Sequence, residues 1–241
     1  MRQIINSKYK NMTTIGIHQP EYLPWLGFFK KMIQCDIFVL YDDVQFERKS
    51  WQNRNSIKTH NGSTLLTVPV KAKFESLIND VKIDNTQNWS KKHIKSIYSN
   101  YIKSRYFEKY FSELEKIYKD EFLTLIELNT KIIKFINAEL NINNKILFSS
   151  EFNTKGTSAE KILEICKILN ADTYITGTSW ASKHLIIEDF KNNNIEIEFQ
   201  NLTHPIYNQC HKPFLSNMST IDLLFNEGSK SSEILIKSKT I

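Results

Sequence analysis

The chain has 241 residues, 41% hydrophobic and 12% aromatic, which excludes a disordered chain and allows one domain with a sizeable core. Lys and Arg (32) outnumber Asp and Glu (26) for a net charge of +6, but the two signs alternate along the chain, so no nucleic-acid partner is expected. No stretch reaches the roughly 18 apolar residues of a membrane span. Met1 to Thr14 lacks the apolar core of a secretory signal, and the scattered Cys35, Cys166 and Cys210 fit no disulfide or zinc spacing, so a cytoplasmic location is the expectation.

Residues 1–12 read as an N-terminal extension and 13–241 as a single α/β domain, Rossmann-like with a mostly parallel sheet, in which 88–140 form a helical insertion or cap. Thr13 to Ile17 is a β-rich run ending in His18-Gln19-Pro20. Leu26, Phe29, Met32 and Ile33 recur at helical spacing after Pro24, and Ile37 to Tyr41 is an apolar run suited to a strand covered on both faces. This strand–turn–helix–strand opening puts its polar residues at strand ends, where open α/β sheets bind ligands.

Leu65 to Val70 reads as another strand and Val81 to Ile83 as a short one. From Asn88 to Leu140 the pattern predicts three or four helices, with Trp89, His93, Ile97 and Tyr101 on one stripe. Ile146 to Ser149 is strand-like, Ser158 to Leu169 an amphipathic helix, Thr173 to Thr176 a strand closed by Gly177, and Ile195 to Phe199 a further strand. An aromatic loop, His204 to Phe214, precedes a last helix from Thr220 with Ser219 or Thr220 as its cap.

Ile17 to Phe29 (IHQPEYLPWLGFF) places an imidazole between a strand end and a helix start, a position that favours anions. This segment, followed by Asp42-Asp43-Val44-Gln45-Phe46, Asn53-Arg54-Asn55, Leu66-Thr67-Val68-Pro69-Val70, Trp89 with Lys92-His93, Thr176-Gly177 and Ile221 to Asn226, resembles the WbqC-like family from about Thr14 to Gly228. The resemblance implies a place in bacterial O-antigen and related polysaccharide biosynthesis. One departure from the family pattern falls at Thr178 to His184 (TSWASKH), where a different substrate preference would be written.

His18 is the leading catalytic candidate, as a general base or as a donor to a phosphate oxygen; the bland alternative is a histidine that only shapes its turn. Asp42 and Asp43 would orient His18 or accept from sugar hydroxyls, against a reading as turn chemistry. No further carboxylate stands at matching spacing, so no metal is expected. Gln19, Tyr22 and Trp25 from the opening segment, and Gln45 after the second strand, join as substrate contacts.

Trp51 to Lys58 (WQNRNSIK) combines an aromatic face, amides, a guanidinium and an ammonium, as recognition of a sugar diphosphate requires. Trp51, Asn53, Arg54, Asn55 and Lys58 are therefore binding candidates, with Arg54 and Lys58 on the diphosphate. His93 is either a core histidine or a site residue, and Tyr207 and His211 are pocket candidates. No GxSxG, GxGxxG or Walker motif is present.

The function expected is an N-acyl or aminoacyl transferase acting on a nucleotide-linked amino sugar, with an acyl or aminoacyl donor as co-substrate. An ATP-dependent adenylyltransferase or ligase of the same pathway is the alternative enzyme, and a non-catalytic glycan-pathway binding protein the alternative outside enzymology.

Overall fold

A computed structural model describes residues 12–156, 158–177 and 186–239. Five parallel strands form the central sheet: β1 (Thr14–His18), β2 (Ile37–Leu40), β7 (Lys145–Phe148), β8 (Thr173–Gly177) and β9 (Glu196–Gln200), in the order β7-β2-β1-β8-β9. Two smaller pairs lie between β2 and β7 in the chain. They are the antiparallel hairpin of β3 (Arg54–Thr59) with β4 (Gly62–Thr67), and β5 (Val70–Lys71) with β6 (Lys82–Ile83).

This order is that of a doubly wound, Rossmann-like sheet: the chain steps outward from β1 through β2 to β7, then returns across β1 to β8 and β9. α1 (Leu26–Ile33) joins β1 to β2, and α4 (Leu125–Glu139) leads into β7 and shares the hydrophobic core of α1. α5 (Ser158–Ile168) and α6 (Ile187–Asn192) cover the opposite face with Ile15, Ile17, Val39 and Tyr174. β2 is thus covered on both sides, Phe38 and Leu40 facing one core and Val39 the other, which explains its unbroken apolar run.

Burial also explains α1, where Leu26 to Met32 are all buried, including Lys30 and Lys31. Gly16 on β1 faces this helix. A Cβ there would lie 3.1 Å from Cys35 Sγ, 3.1 Å from the Phe38 ring and 3.3 Å from Lys31 Cγ, so only glycine lets the helix and the lysine stem lie this close to the strand.

The expected helical segment resolves into α2 (Trp89–Tyr101), α3 (Phe107–Lys119) and α4, the last opened by a capping box between Thr124 and Glu127. The predicted stripe Trp89, His93, Ile97 and Tyr101 is the buried face of α2. The single strand expected at Leu65 to Val70 is instead two, β4 and β5, separated at Val68-Pro69. Pro69 has no N–H to continue the β3–β4 ladder. β3 itself was hidden by its polar residues, because it buries Asn55 and Lys58 beside Ile57.

The chain closes with α7 (Thr220–Glu227), capped by Ser219 Oγ on the N–H of Ile221, and α8 (Lys230–Lys237). Lys30 Nζ donates to the carbonyls of Leu235 (3.1 Å) and Ile236 (2.8 Å), tying α1 to α8. No helix among the described residues is long and apolar enough to cross a membrane. The segment 178–184, expected to mark substrate preference, and His184 within it lie outside the described residues.

Candidate functional site

The order in which the chain adds strands reverses between β1 and β8, and at the carboxyl end of that seam a cavity of about 280 Å³ opens. Open α/β sheets bind their ligands at such a reversal, because helices diverging to opposite faces leave a crevice there. Ile17, His18 and Gln19 line it from the end of β1, and Tyr174, Thr176 and Gly177 from β8. Lys31 reaches in from α1, Ser158 and Ile162 from the first turns of α5, and Tyr41 and Glu47 from beyond β2.

His18 sits on the rim with 27% of its side chain exposed. Its Nδ1 lies 2.9 Å from the Gln19 carbonyl, which can only accept, so Nδ1 carries the proton and Nε2 offers a bare lone pair. The ring packs edge-on against Phe28 at 5.1 Å. Burial pushes its pKa down to about 3, the charge of Lys31 adds to the drop, and the Gln19 carbonyl opposes it. His18 is therefore a neutral imidazole at pH 7, and in this surrounding a weak base unless a negative charge nearby raises it.

Two further ionisable groups share this corner. Glu21, 6% exposed, brings Oε1 to 4.0 Å from His18 Nε2, beyond hydrogen-bond reach, and its Oε2 has no partner. Lys31, 4% exposed, makes no hydrogen bond or ion pair with any described residue through its ammonium. Burial raises Glu21 to about 8 and lowers Lys31 to about 8, each partly offset by the charge of the other. The rim is better tied: Gln52 Nε2 donates to Gln19 Oε1 (2.8 Å), and Tyr41 OH donates to the Ser158 carbonyl (3.2 Å).

Of the residues singled out in the sequence, the fold brings His18 and Gln19 to this cavity. Asp42 and Asp43 do not orient His18. Asp42 Oδ1 accepts from Ser149 Oγ and the Ser150 N–H, each at 3.0 Å, and Oδ2 accepts from Ser150 Oγ (2.8 Å). Asp43 is bound by Ser149 Oγ and pairs with Lys161 at 3.1 Å. Both carboxylates clamp the end of β2 to the turn after β7 and to α5, and the carboxylate beside His18 is Glu21.

Tyr22 OH is hydrogen-bonded to His93 Nδ1 (2.8 Å) and to Tyr118 OH, with Trp89 packed on His93 at 5.4 Å. His93 is thus a core histidine held well below its ordinary range by burial. Trp25 pairs with Ser219 through a backbone bridge, and Gln45 Nε2 donates to the Phe74 carbonyl (2.6 Å).

The WQNRNSIK segment serves the β3–β4 hairpin. Asn53 donates to the Val68 carbonyl and Asn55 to the Leu23 carbonyl, each at 2.8 Å. Arg54 donates to the Lys49 carbonyl, and the fully buried Lys58 donates to the carbonyls of Thr59 (3.1 Å) and Gly62 (3.4 Å). Trp51 is half exposed. Tyr207 donates to Asp222 Oδ2 (2.7 Å), and His211 Nε2 donates to the Asn100 carbonyl (3.0 Å). Apart from His18 and Gln19, none of the singled-out residues lines the β1–β8 cavity.

Sequence reasoning missed Lys31, Glu21, Tyr41, Glu47 and Ser158. A signal for Lys31 was present: a lysine on an otherwise apolar helix face, opposite a glycine in a strand.

The sequence profile of the WbqC-like protein family matches residues 19–234. A protein of Mycobacterium tuberculosis H37Rv, Rv1507c, itself uncharacterized, is 31% identical over 228 residues, covering 93% of this chain and 98% of its own. No solved structure matches. The opening segment of that profile, from Gln19 onward, is the one that shapes the cavity at the end of β1, and the match spans both the sheet and its insertion. The chain belongs to the WbqC-like protein family.

Proposed function

We propose that the protein is a transferase of bacterial surface-glycan biosynthesis that acylates a nucleotide-linked amino sugar in the β1–β8 cavity. The observation that carries this reading is the position of His18: a neutral imidazole with a bare Nε2, at the point of the sheet where nucleotides and their conjugates bind. The sugar amine attacks the carbonyl carbon of an ester or thioester donor, forming an N–C bond. His18 Nε2 takes the proton released from the amine and returns it to the departing alcohol or thiol as the C–O or C–S bond breaks. Gln19, Thr176 and Glu47 on the rim suit the hydroxyls of the sugar.

The test is turnover. Purified protein is incubated with amino-sugar nucleotides and acyl or aminoacyl donors, and the acylated product is read by mass spectrometry. The expected result is product formation that falls about 10²- to 10⁴-fold in His18→Ala, the usual cost of a lost general base. Equal turnover in His18→Ala removes His18 from the chemistry. Release of pyrophosphate or AMP from ATP during turnover moves the reading to an ATP-using ligase, for which the same cavity would serve.

A further inference from the structure

The two lysines at the end of α1 are neighbours in sequence and opposites in environment. Lys30 is buried and paired, its ammonium held by two carbonyls of α8. Lys31 is buried more deeply, its stem passing over Gly16 to the carboxyl end of β1, and its ammonium meets the cavity with no hydrogen bond or ion pair from any described residue. An ammonium at the end of a buried stem, facing a small cavity without a counter-charge beside it, marks a place where an anion is favoured. Glu21 makes no ion pair with it, and burial raises the Glu21 carboxyl towards its neutral form.

A second element faces the same space. α5, an 11-residue helix, begins at Ser158 on the cavity wall, so the positive end of its dipole lies at the cavity, with Glu160 in its first turn as the opposing charge. A compact cation and a helix N-terminus converging on one small cavity bind a tetrahedral oxyanion, most commonly a phosphoryl group. The exposed Glu47 on the rim stands against an anion, and its place there suits a hydroxyl acceptor outside the subsite.

We propose that Lys31 and the amino end of α5 form a phosphoryl-binding subsite for the substrate of this cavity. The proposal rests on the functional reading above in taking the β1–β8 cavity as the substrate site, and it moves the diphosphate from Arg54 and Lys58, where the sequence put it, to Lys31. The ligand class is an organic phosphate or diphosphate, and its reacting group reaches His18 when a phosphoryl oxygen is held by Lys31.

Calorimetric titration of the full chain with inorganic pyrophosphate tests this without any turnover. Lys31→Met keeps the aliphatic stem over Gly16 and removes only the charge. Pyrophosphate binding by the wild-type protein is expected to weaken roughly 10- to 100-fold in Lys31→Met, the effect of one charge-assisted contact, with Lys31→Arg intermediate. Ser158 is exposed, so Ser158→Glu folds whatever becomes of Lys31→Met, and its carboxylate at the mouth is expected to weaken binding several-fold. No pyrophosphate binding by the wild type, equal binding in a folded Lys31→Met, or undiminished binding in Ser158→Glu overturns the subsite. Absence of acyl transfer with every donor tried would sink the transferase reading and leave these titrations standing, so the two failures are told apart.

Discussion

The ends of β1 and β2 lie side by side in the sheet, and both carry charged groups at a level where ligands bind. At the end of β2 the charges are spent internally. Asp42 accepts three hydrogen bonds from Ser149 and Ser150, and Asp43 is taken by Ser149 and Lys161. At the end of β1, His18 makes one hydrogen bond to its neighbouring carbonyl, Glu21 keeps an orphaned Oε2, and the Lys31 ammonium makes no hydrogen bond or ion pair with any described residue. The strand ends are alike in sequence character, and they differ in whether the surrounding chain satisfies them. Saturated polar groups hold a fold together, and an open charged group that faces a cavity is where a ligand is to be sought.

The largest effect that could break this contrast is catalytic. His18→Ala is expected to lose about 10²- to 10⁴-fold in turnover with its melting temperature nearly unchanged, since the ring is partly exposed and leaves little cavity. Asp42→Ala is expected to do the reverse. It strips the acceptor from the Ser150 hydroxyl and N–H and leaves the Ser149 hydroxyl to Asp43 alone, which costs about 1–3 kcal/mol of unfolding free energy in chemical denaturation. An Asp42→Ala protein that is as stable as wild type and inactive would restore Asp42 to the site.

Glu21→Gln sharpens the comparison through pH. The carboxyl is raised in the folded chain to about 8, so the folded state holds its proton more tightly than the unfolded state does. The wild type therefore loses stability as pH rises from the ordinary carboxyl range towards 8, and above it the loss is complete. Glu21→Gln has no such proton and is expected to gain on wild type across that window, by at least the roughly 1.4 kcal/mol of one pKa unit. Denaturation midpoints for both proteins at pH 5 and pH 8 measure it, and parallel curves would show that Glu21 is not held neutral.

Rate against pH gives a finer test. His18 is held far below the ordinary imidazole range, so kcat/KM should show no acid limb near 6.5 and should decline above about 8 as Lys31 loses its proton. A clear inflection near 6.5 would mean that the imidazole is solvated like any surface histidine. The smallest effect is expected at the hairpin: Arg54→Ala, whose guanidinium holds the Lys49 carbonyl outside the cavity, should change sugar-nucleotide affinity less than about three-fold and stability within about 0.5 kcal/mol. A ten-fold loss of affinity would bring the WQNRNSIK segment back into substrate binding.

The sequence by itself determined the α/β class, the strand–turn–helix–strand opening, the helical middle segment, the buried stripe of α2 and the place of His18 at a strand end. Each of these is written locally: an apolar run for a doubly covered strand, a 3.6-residue stripe for a helix, a polar residue at a strand end. What only the tertiary structure decided is which polar residues are spoken for. Asn55 and Lys58 look like ligand contacts in the sequence, yet they bond backbone carbonyls at Leu23, Thr59 and Gly62, and the carboxylates at 42 and 43 meet Ser149 and Ser150 more than a hundred residues away. The Lys31 ammonium makes no hydrogen bond or ion pair with any described residue, and that too is invisible in one dimension. Hydrogen-bond satisfaction depends on groups distant in the chain and near in space, whereas periodicity depends only on the residues that carry it.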